Sequence, residues 1–205
     1  MKIRNIKCCC MLMICSLLLI LTGCTGAEQG KSPTIDKITI EPYILSEKES
    51  QLISKTGVGQ IEFFKLNGAL KGDDDLQFSV EVYENGKFKE TLLKTWDEPG
   101  TKFKDSLISF GISDNGDGSH SLKLLTGIPS GLASANYSNN MTSSSISKLV
   151  DEKVILEKNK PVYLAAWIGT TKNGLRAVGS DNGKLPEGIE EAEIALLYKA
   201  LWTNK

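Results

Sequence analysis

Cysteine is confined to the start of this chain. All five cysteines of the 205 residues fall at Cys8, Cys9, Cys10, Cys15 and Cys24, and none follows. Residues 25–205 therefore hold no disulfide framework, no thiolate nucleophile and no cysteine-based zinc site. Histidine is nearly as scarce, with His120 alone. An excess of basic charge is also missing: 24 Lys and Arg stand against 25 Asp and Glu. Residues 1–23 carry Lys2, Arg4 and Lys7 and no acid, so the remainder has 21 basic against 25 acidic side chains, a net of −4. With that sign and no basic stripe interleaved with aromatics, nucleic acid is excluded as a partner. No apolar run reaches the roughly 20 residues that a helix needs to cross about 30 Å of hydrocarbon. No period of 20 to 50 residues repeats, which removes solenoids and propellers.

The beginning of the chain is a targeting segment. After the basic start, the fourteen positions from Cys8 to Leu21 are apolar or cysteine except Ser16, which is the charged-then-apolar layout of an export signal. It ends in Leu21-Thr22-Gly23-Cys24. These four residues resemble the lipobox of bacterial lipoproteins, an aliphatic residue and two small ones ahead of a modified cysteine. The resemblance implies cleavage between Gly23 and Cys24 and a diacylglyceryl group (with palmitate-type chains) on the Cys24 thiol. It also implies attachment to the extracytoplasmic face of the cell membrane. Two acyl chains anchor stably where one, at about 0.8 kcal/mol per buried methylene, binds only marginally. Residues 24–33, rich in Gly, Ser and Thr, read as a flexible tether, and 34–205 as one domain large enough for its own core.

Within that domain the pattern is overwhelmingly of period two. Residues 34–43 alternate into a first strand stopped by Pro42. Ser46 and Glu49 have capping-box spacing, which predicts a short helix over 47–56 with Leu52 and Ile53 as its apolar stripe and Gly57 after its end. The segment LSEKESQLISKTG, followed by an aromatic strand, resembles the start of small uncharacterised lipoproteins of Gram-positive bacteria, a likeness that brings no activity with it. Strands are predicted over 61–66 and 76–83. Asn85-Gly86 then folds 87–96 back antiparallel, because both central residues of a type I′ turn need positive φ. Pro99-Gly100 marks another turn; 103–113 and the stretch from His120 through Leu122 and Leu124 are further strands. Residues 127–146, rich in Ser and Asn and poor in large apolar side chains, read as a long surface loop. Strands follow at 154–156 and 161–170, the latter apolar on both faces as in a covered central strand. A short strand is predicted at 175–178. Residues 189–202 have helical composition but strict alternation at Ile194, Leu196, Tyr198, Ala200 and Trp202, and the alternation favours a terminal strand. The fold class is mainly β: a single antiparallel β-sandwich-like domain with one short N-terminal helix.

Candidate chemistry is thin. Asp114, Asn115 and Asp117, with Asp73, Asp74 and Asp75, offer oxygen ligands on turns, but Gly116 and Gly118 fall where an EF-hand needs oxygens, and no Glu closes the loop. Asp and Asn are ordinary turn residues. Ser130 with His120 is the one nucleophile and base to consider, and Gly127-Ile128-Pro129-Ser130-Gly131 is not the G-x-S-x-G elbow. Nothing in the spacing of the acids brings two carboxylates into one apolar pocket. Trp96, Trp167 and Trp202 are suited to stacking wall sugars, but core packing is the simpler use of tryptophan at strand spacing. The sequence thus points to no cofactor, no metal and no catalytic residue, and to Cys24 as the lipidation site. The expected function is a lipid-anchored, non-catalytic module that binds an envelope protein, peptide or glycan, with 127–146 as the contact. The rival is an envelope enzyme or accessory component acting on cell-wall glycan or peptide.

Overall fold

A computed structural model describes residues 37–96, 101–114 and 120–204. Among them eleven strands form two antiparallel sheets. In chain order they are β1 (Thr39–Pro42), β2 (Gln60–Ala69), β3 (Asp74–Glu84), β4 (Lys87–Trp96), β5 (Lys102–Asp114), β6 (Ser121–Ile128), β7 (Gly131–Ser138), β8 (Ser143–Lys148), β9 (Val154–Ile155), β10 (Pro161–Thr170) and β11 (Ile194–Asn204). The first sheet runs β7-β6-β5-β2-β1-β9 and the second β4-β3-β11-β10-β8. The β-sandwich-like fold expected from the alternating pattern is the fold observed.

Alternation decides which side chains meet between the sheets. Ile38 and Ile40, Phe64 and Leu66, Ile108 and Phe110, and Leu122 and Leu124 face inward from the first sheet; Leu76, Phe78, Val80, Val82, Leu196, Tyr198 and Trp167 do so from the second. All are buried, and each such side chain is worth about 1.5–3 kcal/mol on burial. Tyr198 joins the layers by stacking on Phe78 of its own sheet at 6.1 Å and on Phe110 of the other at 5.4 Å. At Asn85-Gly86 φ is 47° and 75°, as the hairpin between β3 and β4 requires. Gly68, where φ is 135°, sits under a close crossing: a Cβ there would lie 2.7 Å from the Lys37 carbonyl oxygen.

The second sheet is covered on both faces, which explains the doubly apolar β10. Residues 171–193, joining β10 to β11, fold back over its outer face. Val178, Ile189 and Ala192 pack there on Tyr83, Tyr163, Ala166, Ile168, Ala195 and Leu197. The hairpin tip is tied to this strap through the Asn85 amide, which donates to the Glu193 carbonyl at 3.1 Å.

Two expectations need correction. Residues 127–146 are not a loop: they complete β6, form β7 and begin β8. As an edge strand β7 needs only modest inward groups, and Ala133, Ala135 and Tyr137 supply them, so its low apolar content does not mark a loop. Residues 175–178 form no strand; the segment makes one isolated bridge nearby, Gly179 with Glu187, because Val178 serves as a plug on the outer face of the second sheet. The helix, α1 (Glu47–Ile53), has its capping box, yet none of its residues is buried and Leu52 is 63% exposed. Its stripe is too short to reach the core.

Candidate functional site

β4 and β7 are the edge strands on one side of the sandwich, and they run alongside each other without pairing. Where they diverge, a groove of about 370 Å³ opens, lined by Lys94, Thr95 and Trp96 from β4 and by Ile128, Ser130, Gly131, Leu132 and Ala133 from the β6–β7 hairpin. Its existence follows from side-chain length along β7. At one end Tyr137 is half-buried, its phenol raised above its ordinary value by burial first and by the Glu84 and Glu90 charges, with Lys89 opposing. That ring fills the gap between the edges. Four residues back, Ala133 is too short to do so, and the groove remains open. Trp96, expected in the core, is instead 60% exposed here, and Leu132 is 70% exposed. Two large apolar groups and a lysine thus surround a depression whose described lining residues include no Asp, Glu or His.

A second cleft, of about 570 Å³, lies on the opposite edge between β9, β10 and residues 181–184. Its lysines are matched by neighbouring acids: Lys160 with Glu157, Lys184 with Asp181, and Lys153 with Glu41. Among the described residues, no carboxylate pairs with Lys94.

The densest polar cluster sits under the strap. On the outer face of the second sheet, Lys199 of β11 pairs with Glu81 of β3, whose other oxygen accepts from Tyr83 Oη at 3.2 Å and Tyr163 Oη at 3.4 Å. The two phenol oxygens are 3.3 Å apart. Burial is the main cause that lifts both phenols above their ordinary value. For Tyr163 the Tyr83 hydrogen bond and the Glu81 charge add to it; for Tyr83 the Tyr163 hydrogen bond opposes and the Glu81 charge adds. Both stay neutral near pH 7 and donate. Both Glu81 oxygens are thus occupied within the network. The network fastens β3, β10 and β11 together and closes the lower rim of the strap's small core.

The other sequence candidates are dispersed. Asp74 and Asp75 are buried in β3 rather than displayed on a turn. Burial raises the Asp74 carboxyl, but Lys158 and the Lys71 amide, which donates at 2.8 Å, outweigh it and hold the group below its ordinary value. Asp75 accepts from Gln77 Nε2 at 2.5 Å. Among the described residues no group of three or more His, Cys, Asp or Glu is placed to hold a metal ion. Asn115, Asp117, Pro99-Gly100 and Cys24 lie outside the described residues. His120 precedes β6 and Ser130 follows it, so at about 3.3 Å per residue the strand holds them at opposite ends. Trp167 is buried in the core; Trp202 is half-buried, with Lys158 Nζ 5.2 Å from its ring centre. Two pairs from separate expectations come together among the described residues: Asp74 and Trp202, which share Lys158, and Trp96 and Ser130 in the groove, where the sequence signal that links them is the alternation placing Ala133 rather than a large residue beside them.

No curated protein and no solved structure matches the chain. Residues 39–201, which run from β1 into β11, match the YgaN domain family, and the chain therefore belongs to that family.

Proposed function

We propose that this protein is a lipoprotein, tethered through Cys24 to the extracytoplasmic face of a bacterial cytoplasmic membrane, and that its YgaN domain is a non-catalytic binding module working through the Trp96–Leu132 groove. The anchor rests on the basic start, the fourteen-position apolar run and Leu21-Thr22-Gly23-Cys24. The observation that carries the binding role is the groove itself. It exposes a tryptophan and a leucine, which are costly to leave in water unless something covers them, and its described lining residues include no Asp, Glu, His or Cys. Aromatic and apolar groups beside one cation suit an envelope peptide or a glycan with a peptide stem.

Two measurements test this. Metabolic labelling with palmitate should mark the wild type and leave Cys24→Ala unlabelled and released from the membrane fraction; equal labelling of both removes the anchor. Solubilised peptidoglycan fragments titrated onto the protein should change its tryptophan emission, and Trp96→Phe should abolish that change, since Trp167 is sealed in the core. An emission change that persists in Trp96→Phe places binding elsewhere.

A further inference from the structure

Among the described strands, the outer edge of β7 is the least guarded. The Asn139 amide donates to the His120 carbonyl at 2.7 Å. The register continues as Leu122 with Tyr137, Leu124 with Ala135 and Thr126 with Ala133. Odd-numbered residues of β7 therefore use their backbone groups on β6, and the N–H and C=O of Leu132, Ser134, Asn136 and Ser138 point away from the sheet. Among the described residues no strand pairs with that side.

The other edges carry the usual protections. β9 has two residues. β4 bears Lys87, Lys89, Glu90 and Lys94 and two register shifts. β8 is shorter and ends at Lys148, which pairs with Glu62 at 3.2 Å. β7 has eight residues in unbroken register, with no charge and no proline. Sheets guard such edges against unwanted pairing, and one left open beside an apolar groove is equipped to accept a strand.

We propose that β7 binds an extended peptide segment by strand addition, one apolar side chain entering the Trp96–Leu132 groove and a carboxylate on the peptide meeting Lys94. This deepens the binding role above and rests on it. The backbone groups of Leu132, Ser134 and Asn136 supply the hydrogen bonds, and the groove supplies side-chain choice. A strand added beyond β7 sends alternate side chains inward, over the β4 edge, where the groove lies. A second copy of this chain paired through its own β7 would not do this. The inward side chains of that strand, Ala133, Ala135 and Tyr137, are already committed to their own core, and the groove would stay open. An acidic segment fits better than a basic one because Lys94 is the one charge among the described lining residues.

The test uses the full chain in detergent and an array of eight-residue peptides, the length of β7. Thr alternates with Leu, Val, Ile, Phe or Ala, and Glu is placed at each position in turn. The best binder should saturate below about 1 mM and slow exchange of the Leu132, Ser134 and Asn136 amides. Ser134→Pro removes an outward N–H without breaking the β6 ladder and is tolerated on an edge; it should weaken binding about tenfold. Should that variant misfold, N-methylating alternate amides of the peptide makes the same test on the wild type, with the same expected loss. Lys94→Gln should reduce the preference for Glu-bearing peptides. Absence of saturable binding across the array overturns the proposal, as does a binder indifferent to both Ser134→Pro and N-methylation. In the latter case, loss of binding in Trp96→Phe leaves the groove as a binding site and removes strand addition alone. A dimer that Ser134→Pro converts to monomer, with no peptide binding, identifies the occupant as a second copy and also overturns it.

Discussion

Replacing Lys199 with methionine probes the polar network under the strap most directly. Methionine keeps the apolar stem of the side chain but deletes its ammonium, leaving the Glu81 carboxylate with two phenol donors at 3.2 and 3.4 Å. Breaking a fully buried ion pair from one side costs about 3–5 kcal/mol. Here the Glu81 side chain is 9% exposed and Lys199 17%, so some water reaches the pair and the two phenols take part of the load; about 2–3 kcal/mol is expected. For a domain of roughly 170 residues, that lowers Tm by about 4–12 °C. Glu81→Gln combined with Lys199→Met removes both charges and keeps an acceptor for the phenols, and should recover at least half of the loss. Urea unfolding followed by far-ultraviolet circular dichroism measures both variants. A Lys199→Met protein within about 0.5 kcal/mol of wild type, or a double variant less stable than either single one, refutes the account of a largely buried, mutually dependent pair.

Two further outcomes follow from local geometry. Glu49 is held down to about 2 by the Ser46 hydroxyl, then by the Tyr43 hydroxyl at 2.6 Å and the Ser46 amide; because its folded value is depressed, its contribution to α1 is present above the ordinary carboxylate range and is lost as pH falls towards 2, so the Ser46 amide should stay protected from exchange at pH 4 and lose protection near pH 2, whereas in Glu49→Gln protection should be weaker and independent of pH. Gly68→Ala combines φ of 135° with a contact of 2.7 Å to the Lys37 carbonyl and should cost about 2–4 kcal/mol; Gly131→Ala, with nothing within 4 Å, should change stability by less than about 0.5 kcal/mol, and equal effects at the two sites would show that the β1–β2 crossing is not close.

Much of the fold was legible because strand period and turn chemistry are local. β4 and β10 begin and end where alternation and turn residues place them, and β11 takes the strand reading that alternation favoured over helical composition. That last outcome has a tertiary reason as well: β11 lies between β3 and β10, and a helix there would split the sheet and leave one edge of each unpaired. The errors share one cause. The loop assigned to 127–146 and the strand assigned to 175–178 both rest on how apolar the residues are, but what an apolar or small residue does depends on what lies opposite. Ala133 and Ala135 look like loop composition until β4 is seen to run past them. Val178 looks like a strand residue until the outer face of the second sheet is seen to need a cover.

Sequence alone determined the capping box at Ser46 and Glu49, the Asn85-Gly86 hairpin and the two-sided burial of β10, since each follows from residue types within a few positions of one another. It also determined which residues of each strand share a face. Tertiary structure alone decided which strands became edges, and with that the candidate site. Trp96 is exposed because β4 ends its sheet, the groove exists because the residue facing that edge there is Ala133 rather than one as large as Tyr137, and the backbone of β7 is open because no later strand returns to it. None of these is a property of a residue or its neighbours in the chain. They arise from pairing between strands far apart in sequence, where the order of the sheets settles which hydrogen-bonding edges and apolar faces are left over.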